Sequence, residues 1–186
     1  NGVVLGSEPT ATYTITNIVS NGLIPSAGNP QVGSGFLANE IADDAWTNET
    51  TLPVTVVYTV TPQTSSGCTG NPVDITLTIN PEPIVVNQSQ LVCSDESSNL
   101  ILGDDIDGPN ASTYNIIAIN TNGLTPFAGN PKLGSGLLGN EIADDAWTNT
   151  TLATVPVIYT IVPVSAQGCL GNPFTVTLNI NPQIDV

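Results

Sequence analysis

The decapeptide N-E-I-A-D-D-A-W-T-N occurs twice, letter for letter, at Asn39–Asn48 and at Asn140–Asn149. The two tryptophans, Trp46 and Trp147, stand 101 residues apart, and the offset holds on both sides of the block. Tyr13 maps to Tyr114, Tyr58 to Tyr159, Cys68 to Cys169, and Asn80-Pro81 to Asn181-Pro182. Aligned without a gap, residues 11–83 match 112–184 at 42 of 73 positions. Self-similarity at a fixed period marks a tandem array in which each unit is one small domain. The chain therefore reads as two copies of a module, residues 1–81 and 82–186. The first is a copy whose start is missing and the second is complete, so the chain looks like a fragment of something longer.

Each unit carries the signals of short strands. In Thr12–Val19, Tyr13, Ile15 and Asn17 alternate with threonines. Asn21-Gly22 follows as a turn. Residues 25–35 read as an irregular loop. In the repeated block Phe36, Leu37, Ile41 and Ala45 fall at helical spacing behind a capping Asn39, which predicts one or two helical turns ending near Trp46. Val54–Thr61, closed by Pro62, and Val73–Ile79 are β-branched throughout and predict a hairpin. Ile84–Val92 and Asn99–Leu102 read as the opening strands of the second unit. Short strands with frequent turns and a period of about 100 residues predict an all-β fold. The expected form is two tandem Ig-like β-sandwiches, each with one short helical segment. Two prolines at the joint, Asn80-Pro81-Glu82-Pro83, predict a stiff connector and an elongated pair.

Charge narrows the partners. Sixteen acids face one basic residue, Lys132, for a net charge of −15. That excludes nucleic acid held by phosphate contacts and a polybasic attachment to anionic lipid. No apolar run approaches the ~20 residues a spanning helix needs, so no membrane insertion is expected. Histidine is absent, which removes the usual proton shuttle and the usual zinc set. Carboxylates are the one catalytic group present in number. An acid/base pair such as Glu40 with Asp44 is conceivable, but there is no arginine to hold a substrate, and the chain reads as no enzyme. Scarce Lys and Arg with Thr- and Asn-rich strands suit a secreted bacterial surface protein.

Trp46 and Trp147 read as core residues plugging each sandwich, with sugar stacking as the alternative. Asn48, Asn87, Asn110 and Asn149 each begin an N-x-S/T triplet, for which a turn role is preferred over glycan attachment. No cofactor is certain, but calcium is a candidate. Glu40, Asp43 and Asp44, and equally Glu141, Asp144 and Asp145, would crowd one helical face and repel unless a cation neutralised them. Asp104, Asp105 and Asp107 form an alternating acidic run that partly resembles a calcium loop. The plainer reading leaves all these acids as solvated surface charge.

The order W-T-N-x-T, V-x-Y-T, G-C-x-G-N-P and I-N-P resembles the PKD-like repeats of Bacteroidetes surface proteins. Its carriers are Trp46-Thr47-Asn48, Tyr58-Thr59, Gly67-Cys68-Thr69-Gly70 and Ile79-Asn80-Pro81, with their partners in the second unit. Val92-Cys93-Ser94-Asp95-Glu96 resembles that family's first-strand cysteine motif. The resemblance implies an extracellular, cell-surface location, type IX export, and a stalk or adhesive role in large adhesins, including those of gliding motility. Expected partners are neighbouring repeats and a surface polysaccharide or other substratum, with the isolated pair a monomer. The alternative is a carbohydrate- or protein-binding module using loops 25–35 and 126–136. Of the three cysteines, Cys93 and Cys169 are expected to bond within the second unit, leaving Cys68 without its counterpart.

Overall fold

The computed structural model describes residues 12–103 and 109–183. Every regular element among them is a strand, and the chain divides into two compact units with the change of unit at Asn80/Pro81. In the first unit β1 (Thr12–Val19), β3 (Gly33–Phe36), β5 (Val54–Gln63) and β6 (Val73–Ile79) form a sheet in the order β3-β1-β5-β6. A second, two-stranded sheet pairs β2 (Ile24–Ala27) with β4 (Ala45–Thr47). In the second unit β8 (Thr113–Asn120), β10 (Gly134–Leu137), β12 (Val155–Val164) and β13 (Phe174–Asn181) repeat the larger sheet, and β9 (Thr125–Ala128) with β11 (Ala146–Thr148) repeats the smaller. One strand has no counterpart among the described residues of the first unit: β7 (Gln88–Cys93) runs parallel to β13 and extends the second unit's sheet to five strands.

The alternation seen in the sequence becomes the core. On β12, Val157, Tyr159 and Ile161 are fully buried, and on β13 Phe174, Val176, Leu178 and Ile180 face the same interior. Trp147 comes down on them from the small sheet. Burying each such side chain contributes roughly 1.5–3 kcal/mol. The first unit places Val56, Tyr58, Val60, Ile15 and Trp46 in the same positions. Its β6, however, is mostly exposed, where β13 alternates between buried and half-buried.

The expected hairpin of Val54–Thr61 with Val73–Ile79 is present, paired from Val54↔Ile79 to Val60↔Val73. Pro62 does not close its strand. β5 continues through it to Gln63 along β1, beyond the last rung with β6, and the Pro62 carbonyl accepts from Gly70 N–H at 2.8 Å. Proline is tolerated where no partner strand needs its missing N–H. At Asn21-Gly22 both residues have positive φ (51° and 91°), and Leu23 N–H closes the turn on Ser20 O at 3.0 Å. Asn21 Nδ2 then donates to Thr55 O at 2.8 Å, and Asn122 repeats this on Pro156 O.

Four expectations are corrected. The repeated block contains no helix: Glu40 N–H to Leu37 O and Ala42 N–H to Asn39 O make consecutive tight turns, after which Ala45–Thr47 extends as a strand. Helical spacing misled because Leu37 is 63% exposed while Trp46 is held by strand pairing, Pro25 opposite it. Residues 25–35, read as an irregular loop, supply most of β2 and the first three residues of β3. These strands are exposed and Gly/Ser/Pro-rich, so their backbone pairing leaves little side-chain signal. Ile84–Val92 is a strand only from Gln88 onward. Asn99–Leu102 alternates as a strand should, with Leu100 and Leu102 buried and Ile101 exposed, but its N–H groups bond turn carbonyls instead of a ladder: Asn99 to Ala143 O and Leu102 to Gly139 O.

Candidate functional site

The repeated block builds the same internal fixture in each unit. The turns deliver Asp145 inward just before β11, and β11 then places Trp147 over β12. Tyr159 Oη donates to Asp145 Oδ2 at 2.6 Å, and Trp147 Nε1 donates to Tyr159 Oη at 3.2 Å. In the first unit Tyr58 Oη donates to Asp44 Oδ2 at 2.6 Å, and Trp46 Nε1 to Tyr58 Oη at 3.1 Å, with the two rings edge to face. Gly129, with φ +77°, makes room for the carboxylate, since a Cβ there would lie 2.5 Å from Asp145 Oδ1; Gly28 does the same beside Asp44. That is why A-G-N-P is repeated as well.

Burial separates the two copies. Asp145 is 2% exposed and Asp44 is half-buried. Burial raises the Asp145 pKa to about 6; the Tyr159 hydrogen bond pulls against it, and the Asp144 charge adds to it. The Asn130 backbone amide also favours the anion, but no hydrogen bond of ordinary geometry reaches Oδ1, which is buried without a partner. Burial and the neighbouring Asp44 push Tyr58 up to about 12, and burial with the neighbouring Asp145 pushes Tyr159 up further. Both phenols thus stay protonated as donors. A buried, protonated phenol without access to solvent is a clamp and a poor general base.

A second fixture closes the block. Asn48 and Asn149 are fully buried. Asn149 Nδ2 donates to Ala153 O and Ile180 O at 2.9 and 2.7 Å, and Asn48 Nδ2 to Leu52 O and Ile79 O at 3.0 and 2.8 Å. Each amide thereby ties the turn before the central strand to the end of the neighbouring strand. A nitrogen so enclosed has no room for a glycan. The spacing N-x-S/T had pointed at these residues for another reason, and only their place at the end of the repeated block hinted at a shared structural task.

The remaining acids do not gather as the helical reading required. Asp44 and Asp145 turn inward to tyrosine, whereas Glu40 and Asp43 line a polar depression with Asn29 and Asn39. In the second unit Glu141 and Asp144 line its equivalent, of about 420 Å³, where Lys132 Nζ lies 2.8 Å from Glu141 Oε1. Glu40 and Asp44 therefore make no acid/base pair across one cleft. Among the described residues no group of three or more His, Cys, Asp or Glu side chains could hold a metal ion. Asp104, Asp105 and Asp107 lie outside the described residues.

The expected Cys93–Cys169 bond is not formed: Cys68, Cys93 and Cys169 are all free thiols. Register explains it. Cys93 sits opposite Asn181, the last residue of β13, while Cys169 precedes Phe174, the first. At roughly 3.3 Å per residue the strand keeps them about 20 Å or more apart, far beyond disulfide reach.

An apolar trough of about 230 Å³ opens in the first unit, lined by Tyr13, Ile15, Phe36, Ile41, Val60 and Ile75 among others. In the second unit Tyr114, Ile116, Ile142, Ile161 and Val176 stand at matching positions and share one buried cluster with Val92, Leu100 and Leu102.

A lopsided sandwich of a large and a small sheet, made twice and pinned by an internal aromatic clamp, defines a class of β-modules built for repetition. The family model described as PKD-like domain matches residues 27–83 and 90–184, and the chain belongs to that family. Domains of this family are in general structural or binding modules without catalytic activity. No curated protein matches the chain.

Proposed function

We propose that the chain is a non-enzymatic structural repeat, a stalk or spacer of a large extracellular cell-surface adhesin that supports attachment or gliding. The observation carrying this reading is where the identical residues go. The letter-for-letter block supplies Trp, Asp and Asn to internal fixtures in both units, so what is repeated is what holds the module together. Surface location and type IX export rest on the resemblance to Bacteroidetes repeats. Antibodies against the pair should label intact cells of the source organism, and protease shaving should remove the label. A signal seen only after lysis overturns the proposal.

A second reading has its own observation. Segments 25–35 and 126–136 expose Val32, Phe127 and Leu133 at about 60% each, side chains able to pack on a sugar face or a protein. On a glycan array the spacer reading expects silence. Reproducible binding lost on Phe127→Ala would favour the binding module.

A further inference from the structure

We propose that the polar depression of the first unit binds a primary ammonium on an aliphatic stem, the side chain of a lysine in a partner polypeptide. This goes beyond the spacer reading and does not depend on cell-surface location. The internal fixtures leave one residue identity unexplained. Asp44, Trp46 and Asn48 recur because they hold the module together. Asn39, Glu40 and Asp43 recur in the same block, and with Asn29 they line a depression of about 430 Å³. Their counterparts Asn130, Asn140, Glu141 and Asp144, identical in all four letters, line the depression of the second unit. Residues 88–102 are in place on the second unit and leave that depression open. The opening therefore belongs to the turn block and the A-G-N-P segment themselves.

The second unit shows what fills such a depression. Lys132, the one basic residue of the chain, lines it, and its ammonium lies 2.8 Å from Glu141 Oε1. The Glu141 bond, with the charges of Glu141, Asp144 and Asp145, holds that ammonium above its ordinary pKa. The second unit thus supplies its own cation. The first unit carries Gln31 at the same place and has no Lys or Arg in its sequence. Glu40 and Asp43 therefore face their depression without a side-chain cation. A calcium ion takes about six to eight oxygens, and among the described residues no group of acids could hold a metal ion. An ammonium has three donors, and one carboxylate already engages it in the second unit. Leu37, 63% exposed, lines the first unit's depression and offers an apolar wall to the methylene stem of a lysine. The net charge of −15 draws a basic partner toward the chain.

The probe is acetyl-lysine methylamide, titrated into the whole chain and followed by NMR of the asparagine side-chain amides. Exposed ion pairs are individually weak, so saturable shifts at Asn29 and Asn39 should give a dissociation constant on the order of millimolar, weakening as salt is raised. Asn130 and Asn140, where Lys132 competes, should respond little. The uncharged acetyl-norleucine methylamide should give no saturable shift. Gln31→Lys should abolish the response of the first unit, and Lys132→Gln should create the matching response in the second. Both substitutions lie at exposed positions and spare the core. Glu40→Gln together with Asp43→Asn should weaken binding by about tenfold or more. Absence of saturable shifts at Asn29 and Asn39 overturns the proposal, and so does a response that survives Gln31→Lys. Calcium chloride that gives the same saturable shifts and displaces the lysine probe overturns it in favour of a divalent-cation site. Glucosamine that binds more tightly than the lysine probe overturns it in favour of an amino sugar.

Discussion

At the scale of single residues, the weight of the structure falls on three polar side chains in apolar surroundings. Tyr159→Phe would strip Asp145 Oδ2 and Trp147 Nε1 of a shared partner. Leaving such buried groups unpaired costs about 2–4 kcal/mol, while Tyr58→Phe should cost less because water reaches the half-buried Asp44. Chemical denaturation of the two variants checks the difference. Asn149→Ala removes one bond to a turn carbonyl and one to a strand-end carbonyl and should cost about 2–3 kcal/mol by the same measurement. Asp145 makes a pH-linked contribution. Its folded value of about 6 lies above the ~3.9 of an unfolded aspartate, so the folded state holds the proton more tightly. The stability it contributes is present at about pH 4 and is lost as pH rises through 6, on the order of 3 kcal/mol. The difference in stability between the wild-type chain and Asp145→Asn, followed from pH 4 to 7, should fall along that window; a flat difference would refute it.

Among the elements, β1 and the β5–β6 hairpin were legible in the sequence because β-branched alternation over seven or more residues has one simple outcome. The turn block was not. Its apolar residues fit a helical period, but Asp44, counted there as surface charge, is drawn inward by Tyr58, and Trp46 is fixed by pairing with β2. Neither partner is near in sequence, so no local pattern could disclose them. The same holds for Cys93. Its expected partner followed from counting cysteines, whereas the parallel register of β7 on β13 sends the two thiols to opposite ends of a strand. Under non-reducing conditions all three cysteines should therefore take up iodoacetamide, the exposed Cys68 and Cys93 faster than the partly covered Cys169. Peptide mapping that finds a Cys93–Cys169 bond would refute this register.

For the molecule as a whole, the described residues of the two units form cores of different size. Fifteen residues form the second unit's buried cluster and six the first's among those described, so the first should unfold at the lower temperature. Trp46→Phe and Trp147→Phe leave one reporter in each unit, and their fluorescence melts should have separate midpoints, that of Trp46 lower. Coincident midpoints would refute this difference between the units.

The parallel pairing of β7 with β13 has a mechanical meaning. The chain enters the second unit's sheet at the Gln88 end of this pair and leaves it at the Asn181 end. Tension between those points pulls two neighbouring strands past each other, so their six rungs share the load instead of parting in turn. Tension between Thr154 and Gln183 would instead peel β12 from β13 starting at the Val155↔Ile180 rung. With the native cysteines replaced by serine, handles on Val86→Cys and Gln183→Cys should need a higher rupture force than handles on Thr154→Cys and Gln183→Cys. A chain pulled from both sides of this unit is loaded in the first of these ways.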